Sequence, residues 1–337
     1  MSRENRDRSL RELMDGRGLG ALLLSCPANF AWYTGGADNR VDHGDPVGVA
    51  SVLVTTDEAY ILTNNIEAPR MREEQTPEME VVEHPWHEEP AALLRELTGG
   101  SSLGTDFASE FGPDLSAEIS PLRYVLDGDA IEHYRHLGTD TAQAVSEAAG
   151  SLSPDTGELN AAAELSAACI RRGMFAPVLL AASEDRLVRY RHPVPYGGPL
   201  GKQAMLVVCA ERGGLFASLT RMIYFQEPEP QTVRRQEACG EVLRRMREEA
   251  IREGRNLAQA FEDCRRFYAE AGFPEGWRDH HQGGMTGYAS REIIATPGTQ
   301  QEIKEAQAFA WNPSLMGAKA EETFLLGQDG PEILTSS

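Results

Sequence analysis

Two apolar runs, residues 205–212 and 215–225, flank the pair Gly213 and Gly214, and this stretch restricts the fold more than any other. Paired glycines between runs rich in Val, Leu and Ile predict a β-hairpin closed by a two-residue turn. Two long helical patterns follow at 232–252 and 257–271, the second stopped at Gly272. Short strands are predicted at 287–295, 306–312 and 321–326. Hairpin strands covered by paired helices make an α+β domain.

The first part of the chain has a different texture. A helix over 10–17 stops at Gly18 and Gly20 and leads into a short buried strand, 21–24. Strands at 51–55 and 59–62 surround the turn Thr56, Asp57, Glu58, and a helix is predicted over 90–97. These elements describe a small α/β domain. Helices at 131–149 and 158–172, separated by Ser153, Pro154 and Asp155, open the second part. The expected domains are therefore 1–135 and 136–337, and no internal repeat is present.

Composition removes several classes of function. Acidic residues outnumber basic ones by 52 to 32, a net charge of −20, which argues against a nucleic-acid partner. No apolar run reaches the roughly 18 residues of a membrane span. The start, Met1 to Arg6, is polar and has no signal-peptide core, so a cytoplasmic location is expected. The five cysteines are scattered without a C-x-x-C, which reads as reduced thiols, with neither a disulfide framework nor a zinc site.

Some motifs fail on context. Gly16, Gly18 and Gly20 precede their strand, whereas a dinucleotide loop follows one. His84 with His87, and His133 with His136, lack a nearby third ligand. The informative stretches are 189–221 and 278–323. His192 sits among Arg189, Arg191, Pro193 and Pro195, just ahead of the hairpin. The segment from Asp279 to Glu292 holds His280, His281, Arg291 and several glycines that allow close backbone approach to a ligand. Histidine titrates where acid–base chemistry is useful.

In their order these segments resemble the creatinase/prolidase/aminopeptidase P superfamily, peptidase family M24, with its pita-bread fold. Leu22 to Gly35 resembles that family's first strand and its N-x-x-Y-x-[TS]-G segment. Ser218 to Arg221 resembles D-[IL]-T-R, and His280 to Glu292 resembles H-G-x-x-H-x-x-G…H-E. Phe309 to Pro313 resembles the E-P segment, and Lys319 to Thr323 resembles R-x-E-D-T. The resemblance implies a creatinase-like N-terminal domain followed by a pita-bread catalytic-type domain.

The resemblance also locates the family's five metal ligands, at Val207, Ser218, Gly284, Asn312 and Glu321. Only Glu321 keeps a ligand-type side chain, so the expectation is no bound metal and no other cofactor. The reading that follows is a metal-independent, creatinase-like enzyme acting on a C–N bond of a small amino-acid-like, guanidino or amide substrate. His192 and His280 would be acid–base groups with near-neutral pKa, and Glu321 a catalytic carboxyl unless an ion pair with Arg221 makes it structural. Arg191, Arg221 and Arg291 are candidate carboxylate anchors, with His281, Glu292 and Asn312 as further substrate contacts. From the resemblance, a homodimer is expected in which Arg40 and His43 of one N-terminal domain reach the neighbour's site. The alternatives are a metal-dependent Xaa-Pro aminopeptidase or prolidase using Mn or Zn, a catalytically silent binding protein, and a lyase or isomerase.

Overall fold

The computed structural model describes residues 3–336, and the chain divides into two compact units after Ala130. The division falls near the start of the long helix Gly128–Gly150, slightly ahead of the expected boundary at 135.

The first unit is built on a five-stranded sheet. Its strands are β1 (Ala21–Leu24), β2 (Ala50–Thr55), β3 (Ala59–Asn64), β4 (Glu80–His84) and β5 (Leu103–Thr105), in the order β4-β3-β2-β1-β5. β1 runs antiparallel to β2 and parallel to β5. All four residues of β1 are buried, as its unbroken apolar run demands. Helix Arg3–Arg17 buries Leu10 and Met14, four residues apart on one face.

The second unit carries two antiparallel sheets. Strands β6 (Phe175–Ser183), β7 (Gln203–Arg212) and β8 (Leu215–Tyr224) form the first. β7 and β8 pair over their full ten residues, from Gln203 opposite Tyr224 to Arg212 opposite Leu215. Gly213 and Gly214 close this hairpin with φ of 60° and 78°, the positive pair that a type I′ turn requires. β6 adds to β7 at the edge, with a register shift between Phe175 and Val178 around Pro177. Proline within an apolar run lowers the strand signal and is tolerated at an edge, so the pattern over 175–183 does not by itself predict this strand.

The second sheet has the order β10-β9-β11-β14-β15, with β9 at Gly283–Thr286, β10 at Ile293–Ile294, β11 at Gln307–Trp311, β14 at Glu322–Gly327 and β15 at Gly330–Ile333. Two short strands, β12 (Ser314–Leu315) and β13 (Ala318–Lys319), pair between β11 and β14. The expected strand at 287–295 is instead split, because 287–292 forms an irregular turn between β9 and β10. The two sheets meet where Thr220 N donates to Glu321 O, at 3.3 Å. Helix Glu158–Ile170 packs on β6. The predicted 232–252 helix is α-helical over Pro230–Arg245 and continues as a π-helical turn, Met246–Ala250.

All five cysteines are free thiols. Among the described residues no helix is long and apolar enough to cross a membrane.

Candidate functional site

Strand alternation sets up the site. On one face of the three-stranded sheet, Val178 pairs with Cys209 and Cys209 with Ser218, while Leu180 pairs with Val207 and Val207 with Thr220. Residues two apart share a face, so this surface offers an apolar wall of Val178, Leu180 and Val207. Across from it stand polar groups of the second sheet and its loops: Arg291, Asn312, Lys319 and Glu321. His192 and His281 complete the rim of a cavity of about 340 Å³.

Glu321 is the centre of the polar side. Its Oε1 accepts from Arg291 Nη2 at 3.0 Å, and its Oε2 accepts from Thr220 Oγ1 at 2.7 Å. Lys319 Nζ lies 2.9 Å from the same Oε2, and both residues are only 4% exposed. Burial acts to raise the Glu321 carboxyl, but the Lys319 ammonium, the Arg291 guanidinium and the Thr220 hydroxyl outweigh it and hold its pKa at about 2. Arg291 also donates to Ser218 Oγ (3.2 Å), which donates to Cys209 Sγ (3.2 Å). Burial, with Glu321 nearby, pushes the Cys209 thiol up, so it stays protonated.

The three histidines gather at one corner. His192 Nε2 and His280 Nε2 are 2.9 Å apart, and the rings of His280 and His281 stack with centroids 4.5 Å apart. His280 Nδ1 is hydrogen-bonded to the His281 carbonyl, which places the His280 proton on Nδ1 and its lone pair on Nε2. Burial and the neighbouring Lys319 lower the His280 pKa to about 3, and burial with Arg291 lowers His281 to about 4. His192 is lowered as well, by burial and then Lys319. Gln282 locks the backbone here: its Nε2 donates to His280 O (2.6 Å) and Trp277 O (3.1 Å), and its Oε1 accepts from Tyr268 (2.9 Å).

The expected site residues thus separate into those brought together and those left apart. His192, His281, Arg291, Asn312 and Glu321 all line the cavity, with His280 hydrogen-bonded to His192 just behind. Arg221 does not line it: in β8 it follows Thr220 and so faces the other side of the sheet, and Glu321 pairs with Arg291 and Lys319 instead. Arg191 also lies outside the lining, pairing with Asp279 at 2.9 Å, and Glu292 is absent from the lining as well. The near-neutral pKa expected for His192 and His280 is corrected downward by burial beside cations. A catalytic proton on Glu321 is likewise corrected, since its carboxylate is held ionised. Arg40 and His43 lie in the first unit between helix Pro27–Thr34 and β2, where Arg40 Nε donates to Asp38 at 2.8 Å.

Lys319 opens the segment that resembles R-x-E-D-T but is not among the expected site residues. One of three lysines among 32 basic residues, it stands two positions before the one ligand-type carboxylate, close enough in the chain to have flagged an ion pair. Asn312 Oδ1 and His281 Nδ1 are both buried and without a hydrogen-bond partner.

An α/β unit followed by a unit of two joined antiparallel sheets around a polar cavity defines the class, that of two-domain α+β proteins with the cavity in the second unit. Residues 6–121 match the Creatinase/Prolidase N-terminal domain, and 132–328 match metallopeptidase family M24. The chain belongs to family M24, with the creatinase-like N-terminal and pita-bread C-terminal architecture. It is similar to a prolidase from Pyrococcus horikoshii OT3, at 18% identity and a TM-score of 0.83, covering 99% of this chain and 98% of that one. An Xaa-Pro dipeptidase from Bacillus anthracis superposes with a TM-score of 0.82 at 17% identity, covering 100% and 98%. The N-terminal domain of the FACT complex subunit SPT16 from Cicer arietinum shares the fold at 13% identity and a TM-score of 0.72, covering 99% and 96%. No curated protein matches the sequence.

Proposed function

We propose that this chain is a hydrolase-type M24 protein whose cavity takes a small carboxylate-bearing amide of dipeptide size, without the family's pair of metal ions. The observation that carries this reading is the Lys319 ammonium, buried 2.9 Å from Glu321. Both oxygens of the one cavity carboxylate are engaged by protein donors. A dinuclear centre needs several anionic or imidazole ligands, and Val207, Ser218 and Asn312 supply none. Gly284 has no room for a side chain, since a Cβ there would fall 2.0 Å from the Ile293 carbonyl oxygen. The residues do not fit the metal pair.

One carboxylate against two cations leaves the polar side with a net positive charge, which suits a carboxylate or a carbonyl gaining negative charge. The unpartnered Asn312 Oδ1 is an acceptor for a ligand N–H. With pKa values of about 3 and 4, His280 and His281 are neutral at pH 7 and weak proton acceptors. Proton transfer in this reading therefore falls to His192, at the exposed edge of the cluster.

The solved prolidases and the Xaa-Pro dipeptidase that share this fold favour Xaa-Pro dipeptides over the guanidino substrates of the creatinase-like expectation. The same likeness supports a second reading, a metal-dependent Xaa-Pro peptidase. Hydrolysis of Xaa-Pro dipeptides by the dialysed protein, with and without added Mn²⁺, separates the two. We expect turnover indifferent to Mn²⁺ and no stoichiometric Mn²⁺ retained; two Mn²⁺ per chain with Mn²⁺-dependent turnover would establish the second.

A further inference from the structure

We propose that His192, His280 and His281 form a three-imidazole site for a single divalent ion of the zinc, cobalt or nickel type, distinct from the carboxylate positions of the family. One ring nitrogen from each residue lies within 4.8 Å of the other two. No carboxylate belongs to the set, and three neutral nitrogen donors favour these metals over Mn²⁺, Mg²⁺ or Ca²⁺. Three protein ligands with one side open is the pattern of zinc sites that bind a further molecule, whereas structural sites are closed by a fourth ligand.

The supporting shell is already in place. The bond between His280 Nδ1 and the His281 carbonyl fixes the tautomer and aims Nε2 into the cluster, as the second hydrogen bond of a metal-bound histidine does. Gln282 and Tyr268 hold the backbone that carries both residues. The Arg191–Asp279 ion pair ties together the residues immediately preceding His192 and His280, so the two segments approach each other as a unit. His281 Nδ1 is buried without a partner, a cost that a bound ion or its ligand sphere would relieve. The charged groups near the cluster are Lys319 and Arg291, countered by Glu321. Their net positive charge lowers metal affinity and favours an anion, such as a substrate carboxylate, beside the ion.

The ion shares the cavity of the hydrolytic reading and, while bound, takes up the His192 imidazole that the metal-free protein uses for proton transfer, so binding is measured without turnover. Metal-free full-length protein is titrated with Co²⁺, followed by visible absorption and calorimetry, and then with Zn²⁺ in competition. The expected result is one Co²⁺ per chain with the intense visible bands of low-coordinate cobalt, displaced by Zn²⁺ and not by Mn²⁺. His192→Ala, at an exposed position that leaves the core intact, should weaken binding by about tenfold or more, as should His281→Ala. No cobalt binding in the wild type, or affinity unchanged in both variants, overturns the site. Two Mn²⁺ per chain with Mn²⁺-dependent turnover would defeat the metal-independent reading while leaving the cobalt result to stand or fall on its own.

Discussion

Glu321 and the paired histidines are buried groups whose proton affinities have moved the same way, and that gives the protein a characteristic acid sensitivity. His280 and His281 ionise near 3 and 4 in the folded chain against an ordinary 6.5. Between those values the unfolded chain binds protons that the native state refuses, so stability present above pH 6.5 is lost on acidification. Glu321, at about 2 against 4.5, adds a second loss that begins below pH 4.5 and runs to about pH 2. The urea midpoint should therefore fall steadily from pH 7 to pH 4 and further below, and a midpoint constant from pH 7 to 5 would contradict the burial of the histidine pair. At this scale the sequence was partly legible. The histidines, Arg291 and Glu321 could be named from their segments, but the partner of Glu321 could not. Spacing alone does not say that Arg221 points away while Arg291, thirty positions upstream, reaches in.

Among the elements, the β7–β8 hairpin was readable because its signal is local: two glycines between apolar runs fix turn type and register together. Strand β6 was hidden by Pro177, and β9 was displaced because Gly283 and Gly284 carry no side chain to betray a strand. Those glycines are there for a reason of packing. At Gly284 an added Cβ would meet the Ile293 oxygen at 2.0 Å and the Ala295 nitrogen at 2.9 Å, both backbone atoms of the neighbouring chain segment. Neither can yield without moving β10. Gly284→Ala should cost about 2–3 kcal/mol, seen as a clear drop in thermal midpoint. A midpoint within about 1 °C of the parent would mean that β9 and β10 separate easily. The same contact prevents a histidine from being placed at this position by substitution alone.

Over the whole molecule, the two-unit architecture and the class of each unit were available from the alternation of element types, whereas the cavity was not, since it is made by side chains from strands far apart in sequence. Net charge is the whole-chain property that composition does deliver. An excess of 20 negative charges opposes compaction through long-range repulsion. Salt screens that repulsion over a Debye length that shrinks from about 30 Å at 0.01 M to about 10 Å at 0.1 M. Raising KCl through this range should therefore increase the thermal midpoint, and a fall would show that the many surface Arg–Glu pairs outweigh the net repulsion.

Lys319 and Arg291 give the cavity positive charge that is part of the polypeptide itself. Such charge arrives with every copy made on the ribosome, in fixed stoichiometry, and cannot be stripped by a chelator, exchanged for a rival ion or lost when a cell runs short of a trace element.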